Sequence, residues 1–228
     1  MSSTILRRIR QGITILPFLA KLPGARTTSD PELAVDFAMN SPLIRPGQVR
    51  WEFEQLANIV HQLRPKAAME IGTLRGGTLF ALCRLSDPRA TIISVDLPGG
   101  SFGGGYGWLQ TPILRRFAGS EQALYLIRGD SHNQKSYNQV AVALAGKPLD
   151  FLLIDGDHSY AGVKQDFEMY SQLVRPGGVI ALHDIADHPA DTGCEVSRFW
   201  KEIKRSFNSK EIVSDPRQGW AGIGVVSV

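Results

Sequence analysis

The stretch LDFLLIDGDHSYAGVKQDFEMYSQLVRPGGVIALHD, from Leu149 to Asp184, decides the fold. Two short apolar runs, FLLI and VIAL, flank a segment whose pattern predicts a helix. Each run leads directly to acidic residues: Asp155 follows the first and Asp184 follows the second. Nearly continuous apolar strands separated by a helix indicate a parallel sheet that is covered on both faces.

The Asp155-Gly-Asp157 turn within this stretch has three interpretations. It is a metal clamp for a sugar nucleotide, a cofactor- and metal-binding corner of another kind of enzyme, or a plain turn at the end of a strand. The residues of the turn do not distinguish these three interpretations, so the distinction has to come from the rest of the sequence.

Strand and helix patterns alternate from about Gln48 to the C-terminus. The predicted strands are AAMEIG, TIISVDL, LYLIRGD, LDFLLIDGD, GGVIALHD and a final extended stretch, GWAGIGVVSV. The segment VSRFWKEIKRSF is predicted to be a helix, and its Phe-Trp pair is expected to lie in the core. We therefore predict an α/β domain over residues 48–228.

Composition limits the class of protein. A chain of 228 residues with 43% hydrophobic content suits one globular domain with a sizeable core. The net charge of +3 comes from residues 1–29, which hold five basic residues and no acid. The remainder is slightly acidic, which argues against a nucleic-acid-binding core. Two cysteines, Cys83 and Cys194, make no disulfide framework, so a reducing cytoplasm is expected.

Residues 1–47 form a predicted N-terminal appendage. Within STILRRIRQGITILPFLAKL, apolar residues recur at helical spacing and arginines occupy other faces, which predicts a short amphipathic helix. It is expected to pack on its own domain or on a second subunit, and a homo-oligomer is the favoured assembly. Contact with an anionic membrane surface is the less favoured alternative. A second helix is predicted from Asp30.

The carboxyl ends of the predicted strands share one property: each of the five parallel strands leads into an acid. In open α/β sheets, ligands bind at these ends. The residues found there are Glu70, Asp96, Asp130, Asp155 and the pair His183-Asp184. A purely structural sheet has no need of this coincidence, so we expect a binding site at this edge.

A glycine loop, MEIGTLRGGTLF, follows the first strand and opens a helix. Gly72 permits a tight turn, and Gly76 and Gly77 permit close approach of the backbone. The spacing is not that of the dinucleotide fingerprint, and the loop has no Walker lysine. Asp96 ends the second strand, where an acid can accept hydrogen bonds from a ribose diol.

Taken together and in order, MEIGTLRGGT, ISVDLPGG, IRGDSHN, the 149–184 stretch and GCEVSRFW resemble the class I S-adenosylmethionine-dependent methyltransferases. The resemblance is closest to the branch of cephalosporin-hydroxylase-like proteins and small-molecule O-methyltransferases. It implies a Rossmann-like, doubly wound, mostly parallel seven-stranded sheet with helices on both faces. It also implies that S-adenosylmethionine is bound by Glu70, Gly72, Gly76, Thr78, Asp96, Leu97, Asp130, Ser131 and Asp155.

The resemblance to metal-dependent members implies a metal site at Asp155 and Asp184, with His158 in the place of their catalytic lysine. Their third ligand falls on Ile185, which cannot bind a metal. His183 compensates in our interpretation, since imidazole and carboxylate can share a divalent ion, Mg²⁺ or another. The predicted metal ligands are therefore Asp155, His183 and Asp184, and the catalytic residues are Asp155 and His158.

The resulting prediction is O-methylation of a small hydroxylated molecule, such as a sugar or a secondary metabolite. Two alternatives stay open: a metal-dependent glycosyltransferase that uses Asp155 and Asp157, and a binding subunit without catalysis. Of the remaining histidines, His132 is predicted to shape the adenine wall, His61 to be structural and His188 to lie on the plain surface.

Overall fold

The computed structural model describes residues 15–99, 105–108 and 110–228, and its core is one seven-stranded sheet in the order β3-β2-β1-β4-β5-β7-β6. Strands β1 to β5 are parallel, and β7 pairs antiparallel with both β5 and β6. The strands are β1 (Ala67–Ile71), β2 (Thr91–Asp96), β3 (Ala123–Arg128), β4 (Leu149–Ile154), β5 (Val174–His183), β6 (Asn208–Ile212) and β7 (Ile223–Ser227). The predicted mostly parallel, Rossmann-like sheet is confirmed.

Helices cover both faces of the sheet. They are α1 (15–25), α2 (Pro31–Asn40), α3 (Arg50–Leu63), α4 (Gly77–Leu85), α5 (Thr111–Leu114), α6 (Gln134–Leu144), α7 (Tyr160–Tyr170) and α8 (Val196–Ile203). The buried apolar side chains form two clusters: α1 to α5 contribute to one, and α6 to α8 contribute to the other. None of the described helices is both long and apolar enough to cross a bilayer.

The C-terminal part of the sheet differs from the sequence prediction. The helix expected through Phe207 ends at Ile203, and residues 208–212 form the edge strand β6. This strand was missed because NSKEI is polar: only Ile212 is buried, so no apolar pattern marks it. Its pairing with β7 supplies the hydrogen bonds instead. Phe199 and Trp200 are buried in the core, as predicted.

The described part of the N-terminal appendage packs on its own domain. Phe18 and Leu22 of α1 are buried. The ring of Phe18 lies 5.6 Å from that of Phe37 in α2 and 6.5 Å from that of Phe117 near β3. Residues 1–14 of the predicted amphipathic helix lie outside the described residues. Aromatic contacts of this kind bury large apolar areas, so α1 and α2 share the core of the sheet domain.

Candidate active site

A cavity of about 410 Å³ opens at the carboxyl ends of the parallel strands, where open α/β sheets bind ligands. Its wall consists of the loops after β1 to β5 and of residues 46–48, which precede α3. The predicted site residues that line it are Gly72, Thr78, Asp96, Leu97, Asp130, Ser131, Asp155, His158, His183 and Asp184. The structure therefore brings together residues from five strand ends.

The turn after β1 lies directly against the end of β4. Gly72 has φ of +86°, and a Cβ on it would fall 1.9 Å from the carbonyl oxygen of Asp155. The Asp155 amide donates to the Ile71 carbonyl oxygen at 2.8 Å, which holds the two strand ends together. Only glycine fits here, because the position needs both a left-handed backbone and no side chain.

Gly76 has a packing role at the start of α4. It caps the start of α4 with φ of +94°, and a Cβ there would fall 2.5 Å from the side chain of Leu114. The glycine thus allows α4 to pack against α5, behind the cavity wall. Contact of Gly76 with a cofactor stays a prediction.

Glu70 lies at the end of β1, just behind the cavity wall, and its side chain is fully buried. Neither carboxyl oxygen has a hydrogen-bond partner among the described residues. Burial raises the pKa of this carboxyl to about 8, because the charged form loses its hydration. The hydroxyls of Thr73 and Thr78 oppose this rise, and a cationic group on a ligand would oppose it further by stabilising the charged form of Glu70.

Asp96 holds the glycine loop in place. Its Oδ2 accepts hydrogen bonds from the amides of Thr73 at 3.1 Å and Leu74 at 2.8 Å. Burial raises the pKa of the Asp96 carboxyl, and these amide donors oppose the rise. Gly105 covers the other oxygen so closely that a Cβ there would fall 2.3 Å from Oδ1. Asp96 is therefore an organiser of the loop as well as a predicted ligand of ribose.

The loop after β3 is braced from α7. The hydroxyl of Tyr170 donates to the Ser131 carbonyl oxygen at 2.7 Å. His132 Nε2 lies 3.3 Å from Asp166 Oδ1 and 3.1 Å from the Gly162 carbonyl oxygen. Asp166 is fully buried, and its carboxyl beside Nε2 raises the pKa of the His132 imidazole to about 9. His132 thus pairs with α7 while it lines the cavity.

The His132–Asp166 pair predicts a pH dependence of stability. Because the pKa of His132 is raised on folding, the pair contributes its full stabilisation of the folded state below pH 6.5. That contribution is lost as the pH rises to about 9. Replacing His132 by glutamine should therefore remove about 1–2 kcal/mol of unfolding free energy at pH 6 and much less at pH 9. Urea unfolding at both pH values measures this. His61→Gln, an exposed change on α3, should keep the wild-type pH profile; equal losses at both pH values in His132→Gln would contradict the pairing.

Two carboxylates and three imidazoles meet at the ends of β4 and β5. His183 Nδ1 lies 3.2 Å from Asp155 Oδ1 and 3.4 Å from Asp184 Oδ1. His158 Nδ1 lies 3.1 Å from Asp184 Oδ2, and its Nε2 lies 3.5 Å from Asp155 Oδ1. His188 Nε2 lies 3.3 Å from Asp184 Oδ1. The predicted trio Asp155, His183 and Asp184 has ligand atoms within 4.8 Å of one another, which is close enough to share one metal ion.

Charge alternates within this cluster. Burial by itself would lower the pKa of both His158 and His183, but Asp155 and Asp184 outweigh it. The pKa of His158 is raised to about 10, and that of His183 is raised well above its usual value. Burial would raise the pKa of both carboxyls, yet the imidazoles hold the pKa of Asp155 and of Asp184 below the usual range. Both carboxyls are therefore ionised and paired with protonated imidazoles, so a metal ion would bind there by displacing imidazole protons.

Asp184 sits in a strained backbone conformation. Its φ is +66°, a region that non-glycine residues enter rarely and often at functional sites. The Ala221 amide donates to Asp184 Oδ1 at 3.0 Å and fixes the carboxylate. Ile185 is buried in the core. It contributes no metal ligand, as expected from its aliphatic side chain.

Three residues near the cluster were missed or misplaced by sequence reasoning. Gln48 Nε2 lies 3.4 Å from Asp155 Oδ2, although the segment RPGQV gave no sign of a site. His188 is only 9% exposed and contacts Asp184, so its predicted plain surface position is wrong. Cys194 has its Sγ within 4.8 Å of ligand atoms of His158 and Asp184. The Glu195 amide, bonded to the His158 carbonyl oxygen at 2.8 Å, keeps that loop in place.

Comparison with known sequences identifies the class. A family profile described as a methyltransferase domain matches residues 69–185, about half of the chain. The chain belongs to this family, the class I S-adenosylmethionine-dependent methyltransferases. An uncharacterized protein of Sinorhizobium fredii is 28% identical over 151 residues, which cover 64% of this chain and 16% of that protein. The chain spans about half or less of the length of the curated relatives it matches.

Solved structures share the fold. An O-methyltransferase from Bacillus cereus in complex with S-adenosylhomocysteine aligns with a TM-score of 0.57 at 19% identity, over 87% of this chain and 90% of that one. The methyltransferase MycE of the mycinamycin biosynthetic pathway, in complex with Mg, S-adenosylhomocysteine and mycinamycin VI, aligns with a TM-score of 0.56 at 19% identity. That alignment covers 88% of this chain and 55% of MycE.

Proposed function

We propose that this protein transfers the methyl group of S-adenosylmethionine to a hydroxyl group of a small molecule, such as a sugar or a secondary metabolite, with a divalent cation in the site. The observation that carries the proposal is the cluster of Asp155, His158, His183 and Asp184 next to the Gly72 turn. Two structures of the same fold, the Bacillus cereus O-methyltransferase and MycE, contain the product S-adenosylhomocysteine.

The charges around the cavity fit this cofactor. S-adenosylmethionine carries a cationic sulfonium, a cationic ammonium and one carboxylate, so its net charge is positive, and it carries no phosphate. Asp96, Asp130 and Asp155 line the cavity, and Glu70 lies behind its wall with a raised pKa that a nearby cation would lower. A row of acids favours a cationic ligand and repels a pyrophosphate. The Asp130 side chain is 52% exposed and accessible to the amino group of an adenine.

The donor set also fits a divalent cation. His183 is only 3% exposed, and its Nδ1 already contacts the carboxylates of Asp155 and Asp184. Its buried Nε2 has no hydrogen-bond partner among the described residues, and such an atom is costly unless something binds it. Asp155, Asp184 and His183 would hold the ion, and their mixture of oxygen and nitrogen donors suits Mn²⁺ or another first-row metal as well as Mg²⁺. MycE was crystallised with Mg.

The chemistry requires the loss of one proton. When bound, the cofactor supplies a methyl group on a cationic sulfur; the acceptor oxygen forms the new C–O bond, and the S–C electron pair stays on the sulfur as a neutral thioether. The hydroxyl proton must then leave. His158 faces the cluster from the β4 loop and is the side chain best placed to receive it.

His158 needs help to act as a base, because its paired carboxylates raise its pKa to about 10. Additional positive charge in the site neutralises Asp155 and Asp184 and lowers that pKa towards the working range. A cationic cofactor and a divalent ion both add such charge. Asp155 contributes by orienting the imidazole through its contact with Nε2.

The glycosyltransferase alternative is disfavoured by the position of Asp157. Its Oδ1 accepts a hydrogen bond from the Ser159 amide at 2.9 Å, and its carboxylate packs on Gly162 at the start of α7. This is the arrangement of a turn, and the groups of three or more described residues that could hold one ion include Asp155 but not Asp157. These contacts favour a structural role for Asp157 over a sugar-nucleotide clamp.

Replacing His158 by alanine tests the proposed base. Affinity for S-adenosylhomocysteine should stay within about twofold, because the cofactor contacts lie elsewhere in the cavity. Turnover should fall by about 100-fold or more, the usual contribution of a positioned base. Calorimetry gives the affinity, and release of S-adenosylhomocysteine with a panel of catechols and sugars gives the turnover.

His61→Ala is the matched control, since it removes an exposed imidazole from α3 outside the cavity. It should leave both quantities unchanged. Full activity in the His158→Ala variant would show that another group receives the proton. A wild-type protein that binds S-adenosylhomocysteine but turns over no acceptor would instead support a binding subunit without catalysis.

A further inference from the structure

A second cavity, of about 420 Å³, lies at the opposite edge of the sheet from the active site. It is bounded by the loops that lead into β1, β2 and β3 and by the end of α1. Three arginines, Arg26, Arg64 and Arg84, lie in its wall, and the hydroxyl-bearing residues there are Thr27, Thr28, Ser29, Ser86 and Ser120. The predicted function uses none of these residues.

Arg64 lies 3.9 Å from the carboxylate of Asp87, but the guanidinium groups of Arg26 and Arg84 have no acidic partner among the described residues. Arg84 is 92% buried, and burial followed by the nearby charge of Arg26 lowers the pKa of its guanidinium. Among the described residues, no carboxylate lies within 4 Å of either group. The remaining residues, 1–14, 100–104 and 109, include no Asp or Glu. Glu121, the acid in the cavity wall, is exposed.

Backbone carbonyl oxygens accept hydrogen bonds from only some of the N–H groups of Arg26 and Arg84. Arg84 donates to the carbonyl oxygens of Arg26 and Phe117, and Arg26 donates to that of Ala118 at 2.6 Å. The Nε atoms of both arginines and the Ser86 hydroxyl are buried and have no partner among the described residues. A buried charge without a counter-ion is costly, so this wall has a surplus of positive charge and of donors.

We propose that this cavity binds a tetrahedral oxyanion, a phosphate or a phosphate monoester, with Arg26 and Arg84 as its charged donors. Guanidinium groups match phosphate oxygens in geometry and charge. Donors from the loop after α1, the end of α4 and the loop before β3 surround the cavity from three directions. The volume lies within the usual range for small-ligand sites, about 300–1,000 Å³, so an ester fits as well as the free ion.

Thermal unfolding and calorimetry with inorganic phosphate test the site at constant ionic strength, with chloride as the reference salt and acetate as a carboxylate probe. Phosphate should raise the wild-type melting temperature in a saturable way, and acetate should not. Arg26→Gln and Arg84→Gln should each weaken phosphate binding by about tenfold or more, the effect of losing a charged hydrogen bond. Glycerol 1-phosphate tests the ester.

Glutamine keeps an amide donor for the Ala118 carbonyl, so Arg26→Gln should fold even if Arg84→Gln does not. Arg205→Gln is the matched control, because it removes an exposed arginine beyond α8 and should leave the phosphate response intact. Binding of S-adenosylhomocysteine, measured in every variant, shows whether the active site at the opposite edge of the sheet is still intact. No saturable phosphate response in the wild type, an equal response to acetate, or an unchanged response in Arg26→Gln would each overturn the proposal.

Discussion

Replacing Gly72 by alanine is expected to cause the largest loss of all single changes in the active site. The new Cβ would fall 1.9 Å from the Asp155 carbonyl oxygen, a backbone atom that cannot move alone. Strands β1 and β4 would have to separate where they hold Asp155 and the cluster around it. We expect destabilisation of about 3 kcal/mol or more and no measurable binding of S-adenosylhomocysteine. Urea unfolding and calorimetry measure the two effects.

Gly146→Ala separates the steric clash from the backbone effect. Gly146 also has positive φ, +78°, but a Cβ there would meet nothing within 4 Å. This control should therefore lose only about 1 kcal/mol of stability and bind S-adenosylhomocysteine normally. If Gly72→Ala matched the control in both measurements, the close approach of the two strand ends would have no functional importance.

Replacing Asp96 by alanine is expected to reduce affinity for S-adenosylhomocysteine by about 10- to 100-fold. The side chain holds the Thr73 and Leu74 amides, and hydrogen bonds to a charged group are each worth about 1.5–3 kcal/mol. Loss of the carboxylate would therefore loosen the glycine loop and remove the predicted partner of the ribose. Calorimetry gives the affinity, and thermal unfolding gives the cost in stability.

Two variants refine the test of Asp96. Asp96→Asn keeps an oxygen acceptor for the loop but loses the charge, so its affinity should lie between those of the wild type and Asp96→Ala. Asp36→Ala removes a half-buried acid of α2 that pairs with Arg50 and should leave the affinity unchanged. Wild-type affinity in Asp96→Ala would remove this residue from the cofactor site.

The central sheet was predictable because its strands carry strong local patterns. β1, β2, β4 and most of β5 are short apolar runs, and glycine turns or helices of ordinary length separate them. β6 was not predictable, since a polar edge strand is defined by pairing with its neighbour and not by its own residues. The sequence prediction also placed the end of α8 too late, because nothing in the residues before β6 marks the start of a polar strand.

The acids of the site were predictable because parallel strands end at one edge, which gathers Asp96, Asp155 and Asp184 by topology alone. Gln48, His188 and Cys194 reach the same cavity from loops, and nothing in their local sequence specifies where those loops fold back. The glycines show a third case: Gly72 and Gly76 look alike in sequence, but one faces Asp155 and the other faces Leu114.

Calorimetric titration of the wild-type chain tests the central claim most directly. The ligands are S-adenosylhomocysteine and a sugar nucleotide, UDP-glucose, each with and without Mg²⁺ or Mn²⁺. We predict one S-adenosylhomocysteine bound per chain in all conditions, and no binding of UDP-glucose. Binding of UDP-glucose that requires the metal, with no binding of S-adenosylhomocysteine, would contradict it.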